Sequence, residues 1–376
     1  MTKETHHTSG TPAEPPQEPT VPGAPAAPAA PAAPGAPAAP GVPGGGPAPG
    51  APIVRDLVAE QRERNARFAP VLPEAVSWPR VGVFVLLAMG LAWAVCAPMW
   101  VSGQGLAHPL SQVLMAAMMF TPTLATLAVV FLGGRPKSVP RLLGLGPIRP
   151  VGRTLGMTAL SLGLFCVLPF LAVLLGGAFG LVQLDLANFS AAAAQIEALG
   201  VPGMDAQTYV LVNVLAVPVN AVISSLAAFG EELGWRGWLL PNLLPLGRWP
   251  ALLLSSVIWA LWHAPIILLG YNFGYTDARG LALMTGFCLG LGVFLGWLRL
   301  RTASVWPAVV GHGAINAATA ATLLLLHADQ LADTAQIGIG TFLGLPGWAL
   351  MAVLIVVLVV TGQFRKQAEP GVPVGR

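Results

Sequence analysis

Phe229-Gly230-Glu231-Glu232-Leu233-Gly234-Trp235-Arg236-Gly237 closes an apolar run that begins near Gln207. A run of about 20 such residues is long enough to cross a bilayer. Two adjacent carboxylates at its end are costly, because charge at bilayer depth is tolerated only beside a cavity or a partner. On a helix Glu232 and Arg236 stand four apart with the acid first, so they can pair along one face. Glu231 points about 100° away from Glu232 and is not committed to that pair. The spacing therefore separates one bound acid from one that is available for proton chemistry. The plainer alternative is a juxtamembrane charge cluster that only marks a helix end.

Composition agrees with a membrane setting. The 376 residues are 55% hydrophobic and 9% charged, with mean hydropathy +0.71. A soluble domain carries about 25% charged residues. Apolar runs of about 20 residues recur, which predicts an all-α, polytopic membrane helix bundle. We expect about eight transmembrane helices, at Val81 to Val101, Ser111 to Leu132, Leu155 to Leu181, Gln207 to Glu232, Trp249 to Gly270, Gly280 to Leu298, Val305 to Leu326 and Phe342 to Thr361. The less apolar stretch from Asp185 to Gly203 reads as an interfacial helix. Cys96, Cys166 and Cys288 are isolated in apolar runs, with no metal spacing and no sign of a disulfide framework. Core packing is the expected role for each.

Outside the bundle the organisation is simple. Residues 1–53 form a Pro/Ala/Gly-rich tail that cannot bury enough apolar surface to fold and should be disordered. Residues 54–80 are a charged juxtamembrane segment, the membrane bundle covers 81–363, and 364–376 are a C-terminal tail. The basic pI, near 9.0, reflects topology rather than nucleic-acid binding. Arg80, Arg135, Lys137, Arg141, Arg149, Arg153, Arg236, Arg248, Arg299, Arg301, Arg365 and Lys366 all fall on one predicted side. Asp185, Glu197, Asp205, Asp277, Asp329 and Asp333 fall on the other, with Arg279. The positive-inside rule then predicts a multi-pass protein of the cell membrane with both termini in the cytosol.

Two more polar features interrupt apolar helices. His263, in Trp259-Ala260-Leu261-Trp262-His263-Ala264-Pro265, lies near the middle of the fifth predicted span, one turn after Trp259. Pro265 should free a backbone carbonyl there and bend the helix. Taken singly, a satisfied core histidine is the simpler account. His312 and Asn316 are four apart on the seventh span, among Gly and Ala residues that let helices approach closely. Their simpler account is an interhelical hydrogen-bond clasp. Together with Glu231 these groups come from three helices at similar depth, so one aqueous pocket could hold them. An acid, a histidine and a donor pair are the parts needed for water-driven acyl transfer.

At this point the chain resembles a family. Glu231-Glu232-x-x-x-Arg236, Trp259-x-x-x-His263 and His312-x-x-x-Asn316 are similar to the three motifs of the CPBP intramembrane proteases. That name joins CAAX proteases and bacteriocin-processing enzymes, and the family is also called Abi. The likeness runs over roughly 207–322 and includes Leu233 to Pro241 after the acids and Ser304 to Ala308 before His312. Trp259 departs from the phenylalanine the family often has. The resemblance implies an intramembrane endopeptidase that cuts a membrane-associated protein or peptide near the cytosolic face. In it Glu231, helped by His263, would activate water, and His312 and Asn316 would donate to the oxyanion. Glu232, Arg236 and Trp259 would shape the site. The family is commonly labelled metalloprotease, and Glu231, His263 and His312 would then be the zinc ligands. No His-Glu-x-x-His is present. A glutamate-and-water mechanism without a cofactor uses the same residues and is the expectation adopted here.

Other functions predict other patterns. A transporter or channel also uses intramembrane acids and histidines. Here the polar groups cluster in the fourth, fifth and seventh spans, and no repeat relates the two halves. A non-catalytic scaffold would not need every motif residue intact. The Pro/Ala-rich tail and small membrane part look bacterial and point away from a prenylated substrate. The Gly286-x-x-x-Gly290 and Gly292-x-x-x-Gly296 repeats predict close helix packing in the sixth span.

Overall fold

The computed structural model describes residues 72–132, 138–146, 148, 150–200 and 203–365. The 1–53 tail, most of the 54–80 segment and residues 366–376 lie outside the described residues, as do Arg135, Lys137 and Arg149.

The described chain is helical throughout, with one isolated bridge between Leu184 and Leu326. In order the helices are α1 (Trp78–Val101), α2 (Ser111–Met118), α3 (Thr121–Leu132), α4 (Val139–Leu143), α5 (Val151–Ala178), α6 (Ser190–Leu199) and α7 (Ala206–Glu232). A π-helical segment (Leu233–Leu239) leads into α8 (Leu240–Leu243). Then come α9 (Arg248–Trp262), α10 (Ala264–Ile267), α11 (Ala278–Thr302), α12 (Trp306–Thr322), α13 (Thr334–Gly340) and α14 (Leu345–Val360). Several starts are written locally. Asp205 accepts from the N–H of Thr208 at 2.8 Å ahead of α7, and Asp277 from that of Arg279 at 2.8 Å ahead of α11, each satisfying an orphan donor.

Among the described residues, 7 helical segments are long and apolar enough to cross a membrane. The expected span at Trp249 to Gly270 is present but interrupted. α9 has 15 residues and α10 has 4, with a turn at His263, ahead of Pro265, which has no backbone N–H to donate. The expected span from Ser111 to Leu132 is two helices, broken at Met119 and Phe120. Pro122, in the first turn of α3, has no N–H to carry the ladder back into α2. The stretch from Asp185 to Gly203 contains α6, as expected. Ahead of it Asp185 accepts from the N–H groups of Asn188 at 2.9 Å and Ser190 at 3.1 Å. Those bonds hold its carboxyl low, at about 2.

α12 is the central strut, packed chiefly against α7 and α5. Glycines make that closeness possible. A Cβ on Gly311 would run into Ser161 and Phe165 of α5, and one on Gly313 into Ser225 and the Ala221 carbonyl of α7. Without a hydrophobic force between helices in lipid, such close packing is what holds a bundle together. The two glycine repeats of α11 do the same on two faces. Gly286 and Gly290 abut Trp348 and Met351 of α14, and Gly292 and Gly296 abut Ser256 and Leu252 of α9. The three cysteines are free. Cys96 and Cys288 are buried and Cys166 is half-buried, which is the packing role expected of them.

Arg236 and Arg299 depart from the expected loop positions, Arg236 lying buried in the π-helical segment. Arg299 is not a loop residue, because α11 runs through it to Thr302. Its side chain is fully buried, and Nε donates to the Arg236 carbonyl at 2.9 Å. The guanidinium lies against Gly144, whose φ of 70° and missing Cβ leave it room.

Candidate active site

α7 ends on its two carboxylates, and the backbone then widens into the π segment. Such segments inside α-helices are rare and recur at functional sites. Glu231, Glu232 and Arg236 are 2%, 0% and 2% exposed. Burying three charges is tolerable only if each finds partners. Oε1 of Glu232 accepts from Arg236 at 2.7 Å, the pair that the i,i+4 spacing predicts. The same oxygen accepts from Nδ1 of His312 at 3.0 Å. This second bond joins residues 80 apart in sequence, and no local rule anticipates it.

Glu231 has a different partner. Its Oε2 accepts from the indole N–H of Trp259 at 2.7 Å. The acid that looked free is thus held by one neutral donor, through the residue where this chain departs from the phenylalanine expected by resemblance. Trp259 is also the hub of the site. Its ring lies 4.3 Å beneath the Arg236 guanidinium, a cation–π arrangement. It contacts the ring of His312 at 5.4 Å and that of His263 at 5.8 Å. From the sequence it was legible as an aromatic one turn before His263 and, by resemblance, as a residue that shapes the site; its bonds to the other helices were not.

The helix break explains how His263 is held. Its backbone N–H turns to the Ala260 carbonyl at 3.1 Å. The Trp259 carbonyl is paired with His263 Nδ1 at 2.9 Å instead. A carbonyl oxygen only accepts, so Nδ1 carries the proton and the neutral ring keeps its lone pair on Nε2. The same reasoning applies to His312, whose Nδ1 faces the Glu232 carboxylate and so donates to it.

Around these groups the bundle supplies backbone anchors. Thr123 donates to the Gly230 carbonyl at 2.7 Å. Trp262, which packs on the His263 ring at 4.7 Å, donates to Thr121 at 3.0 Å. Trp100 donates to the Pro265 carbonyl at 2.9 Å. None of these was singled out in the sequence, since each depends on which helix lies next to which.

Glu231, His263 and His312 therefore gather around Trp259. Asn316 lies one turn beyond His312 and is exposed. Among the described residues no three His, Cys, Asp or Glu side chains are grouped so as to hold a metal ion. His263 bonds a backbone carbonyl and His312 the Glu232 carboxylate, each through Nδ1, the orientation that a metal-ligating histidine also takes; as placed in this structure, Glu231, His263 and His312 are not gathered into a ligand set.

The family model described as "Type II CAAX prenyl endopeptidase Rce1-like" matches residues 213–318. That segment begins within α7, ends within α12, and contains every residue of the site. The segment is similar to a CAAX-protease domain. A protein named "CAAX prenyl protease 2" from Methanococcus maripaludis is 32% identical over 107 residues, covering 27% of this chain and 39% of that relative. The chain thus matches less than half the length of the curated relative. The matched segment falls on the helices that carry the three motifs, while α1 to α5 and α14 lie outside it.

Proposed function

We propose that this chain is an intramembrane endopeptidase of the CAAX-protease type, with Glu231 and His263 activating water and no cofactor required. The observation that carries this reading is the unequal treatment of the two acids. Glu232 is bonded on one oxygen by both Arg236 and His312. Glu231 has one indole donor on Oε2, which leaves Oε1 to take a proton from water. His263, with its lone pair on Nε2, orients that water.

The steps balance as ordinary amide hydrolysis. The water oxygen bonds to the substrate carbonyl carbon, and its proton passes to Glu231. The resulting oxyanion accepts hydrogen bonds from His312 and Asn316. The C–N bond then breaks, and the proton on Glu231 moves to the leaving nitrogen. His312 donates through Nε2 as an imidazolium, with Glu232 as its counter-ion. In that state the Glu232 carboxylate and the oxyanion balance the Arg236 guanidinium and the His312 imidazolium, with Glu231 protonated, which makes the buried cluster tolerable.

The substrate we propose is a membrane-associated protein or peptide. The test is proteomics of membranes from cells with and without the protein, read for new C-termini. We expect termini that vanish in the knockout and in Glu231→Gln. Identical termini in all three would rule out the peptidase.

We also propose that both termini and the polar end of α7 face the cytosol, because Arg141, Arg153, Arg248 and Arg301 cluster on that side. Single cysteines at 141 and 248 should resist an impermeant thiol reagent in intact cells, and cysteines at 185 and 333 should label. Outside labelling at 141 or 248 would invert the orientation.

A further inference from the structure

α7 and α12 run antiparallel. Phe229 stacks on Trp306 with ring centroids 5.5 Å apart, while Gly313 lies against Ala221 and Ser225. In an antiparallel pair, the residue just before each contact position turns to the same flank on both helices. Asn220, Ser224 and Glu231 precede Ala221, Ser225 and Glu232 on α7. His312 precedes Gly313 on α12, and Asn316 is one turn further on. All five therefore emerge on one flank of the α7/α12 contact. Along α7 the positions 220, 224, 227 and 231 follow helical spacing, with Ala227 the small member.

This flank is chemically unlike its surroundings. Val219, Val222, Ile223 and Leu226 are all exposed and apolar, as a lipid-facing helix should be. Asn220 and Asn316 are exposed as well, and Ser224 is half-buried. None of these three side chains makes a hydrogen bond with the described residues, whereas Ser225 turns its hydroxyl back to the Ala221 carbonyl at 2.7 Å. An unpaired amide at membrane depth is expensive. An extended polypeptide in the same place has the matching need, because its backbone N–H and C=O groups find no water there.

We infer that Asn220 and Ser224 form a subsite, running on from Asn316 at the scissile bond, that hydrogen-bonds the backbone of an extended substrate segment leading away from Glu231. This rests on the peptidase reading above. Asn220 and Glu231 are eleven residues apart, about 16 Å along the axis. That length holds about five residues of extended peptide at ~3.3 Å each. Carboxamide side chains, which both donate and accept, suit a peptide backbone without selecting particular side chains.

The probe is a biotinylated ten-residue peptide centred on a cut site taken from the new C-termini of the proteomic test above, with two versions truncated to two residues on either side of the cut. Asn220→Leu places an apolar side chain at an exposed membrane position and should leave the melting curve unchanged. It should raise KM for the long peptide about tenfold with kcat near wild type, and leave one truncated peptide unaffected. Asn220→Gln should restore most of the affinity. In Glu231→Gln protein, a photoreactive side chain at 220 or 224 should cross-link the peptide, and one at 222 or 226 should not. Cleavage with unchanged KM in Asn220→Leu and no cross-link from 220 overturns the subsite and leaves the peptidase standing. Wild-type protein that neither cleaves nor binds the peptide overturns both.

Discussion

Glu231→Gln should abolish turnover while the protein folds and melts like wild type. Glutamine keeps the shape of the side chain and can still accept from the Trp259 indole, so the site stays assembled. It cannot take a proton from water. Losing a general base costs at least ~10²-fold in rate. The measurement is cleavage of a defined peptide by purified protein in detergent, beside a melting curve. The same preparations should carry well under one equivalent of zinc, and chelators should leave wild-type cleavage unchanged. Normal turnover by Glu231→Gln would remove Glu231 from the chemistry. Stoichiometric zinc that disappears in His263→Ala or His312→Ala would replace the water-only mechanism with a metal-assisted one.

Glu232→Ala should fail differently, by loss of folded protein. One Glu232 oxygen takes both the Arg236 guanidinium and the His312 ring, and all three side chains are almost fully enclosed. Removing the carboxylate strands a buried cation and leaves His312 without its acceptor. Breaking a buried pair in this way costs roughly 3–5 kcal/mol. Adding Arg236→Ala removes the stranded charge and should recover part of that loss. The readout is a double-mutant cycle on thermal melting and folded yield. If the double mutant loses the sum of the two single losses, Glu232 and Arg236 are not acting as a unit, and the division of labour between the acids falls with it.

Much of the site was legible because it is local. The Glu232–Arg236 pair follows from a four-residue separation on one helix. The placing of Glu231 away from that pair follows from a one-residue step. Pro265 announced the break beside His263, and the glycines around His312 announced a close helix approach. What was not legible crosses between helices. That His312 bonds Glu232, that Trp259 holds Glu231, and that Arg299 is buried against Gly144 depend on helix rotation and depth. Side-chain packing sets both, and residue spacing alone carries no record of either. Asn316 shows the limit from the other side. Its spacing from His312 was clear, but its exposure, and its sharing of a flank with Asn220, needed the antiparallel pairing of α7 and α12.

By itself the sequence determined that this is a polytopic helical membrane protein, since about 20 apolar residues per segment admit no other spanning structure with a satisfied backbone. It also determined which residues could carry chemistry, because ionisable groups within such segments are too costly to keep without use. Only the tertiary structure decided the further partner of each acid. His312 and Trp259 reach α7 from two other helices, and they do so only once glycine-lined faces let those helices come within hydrogen-bonding distance.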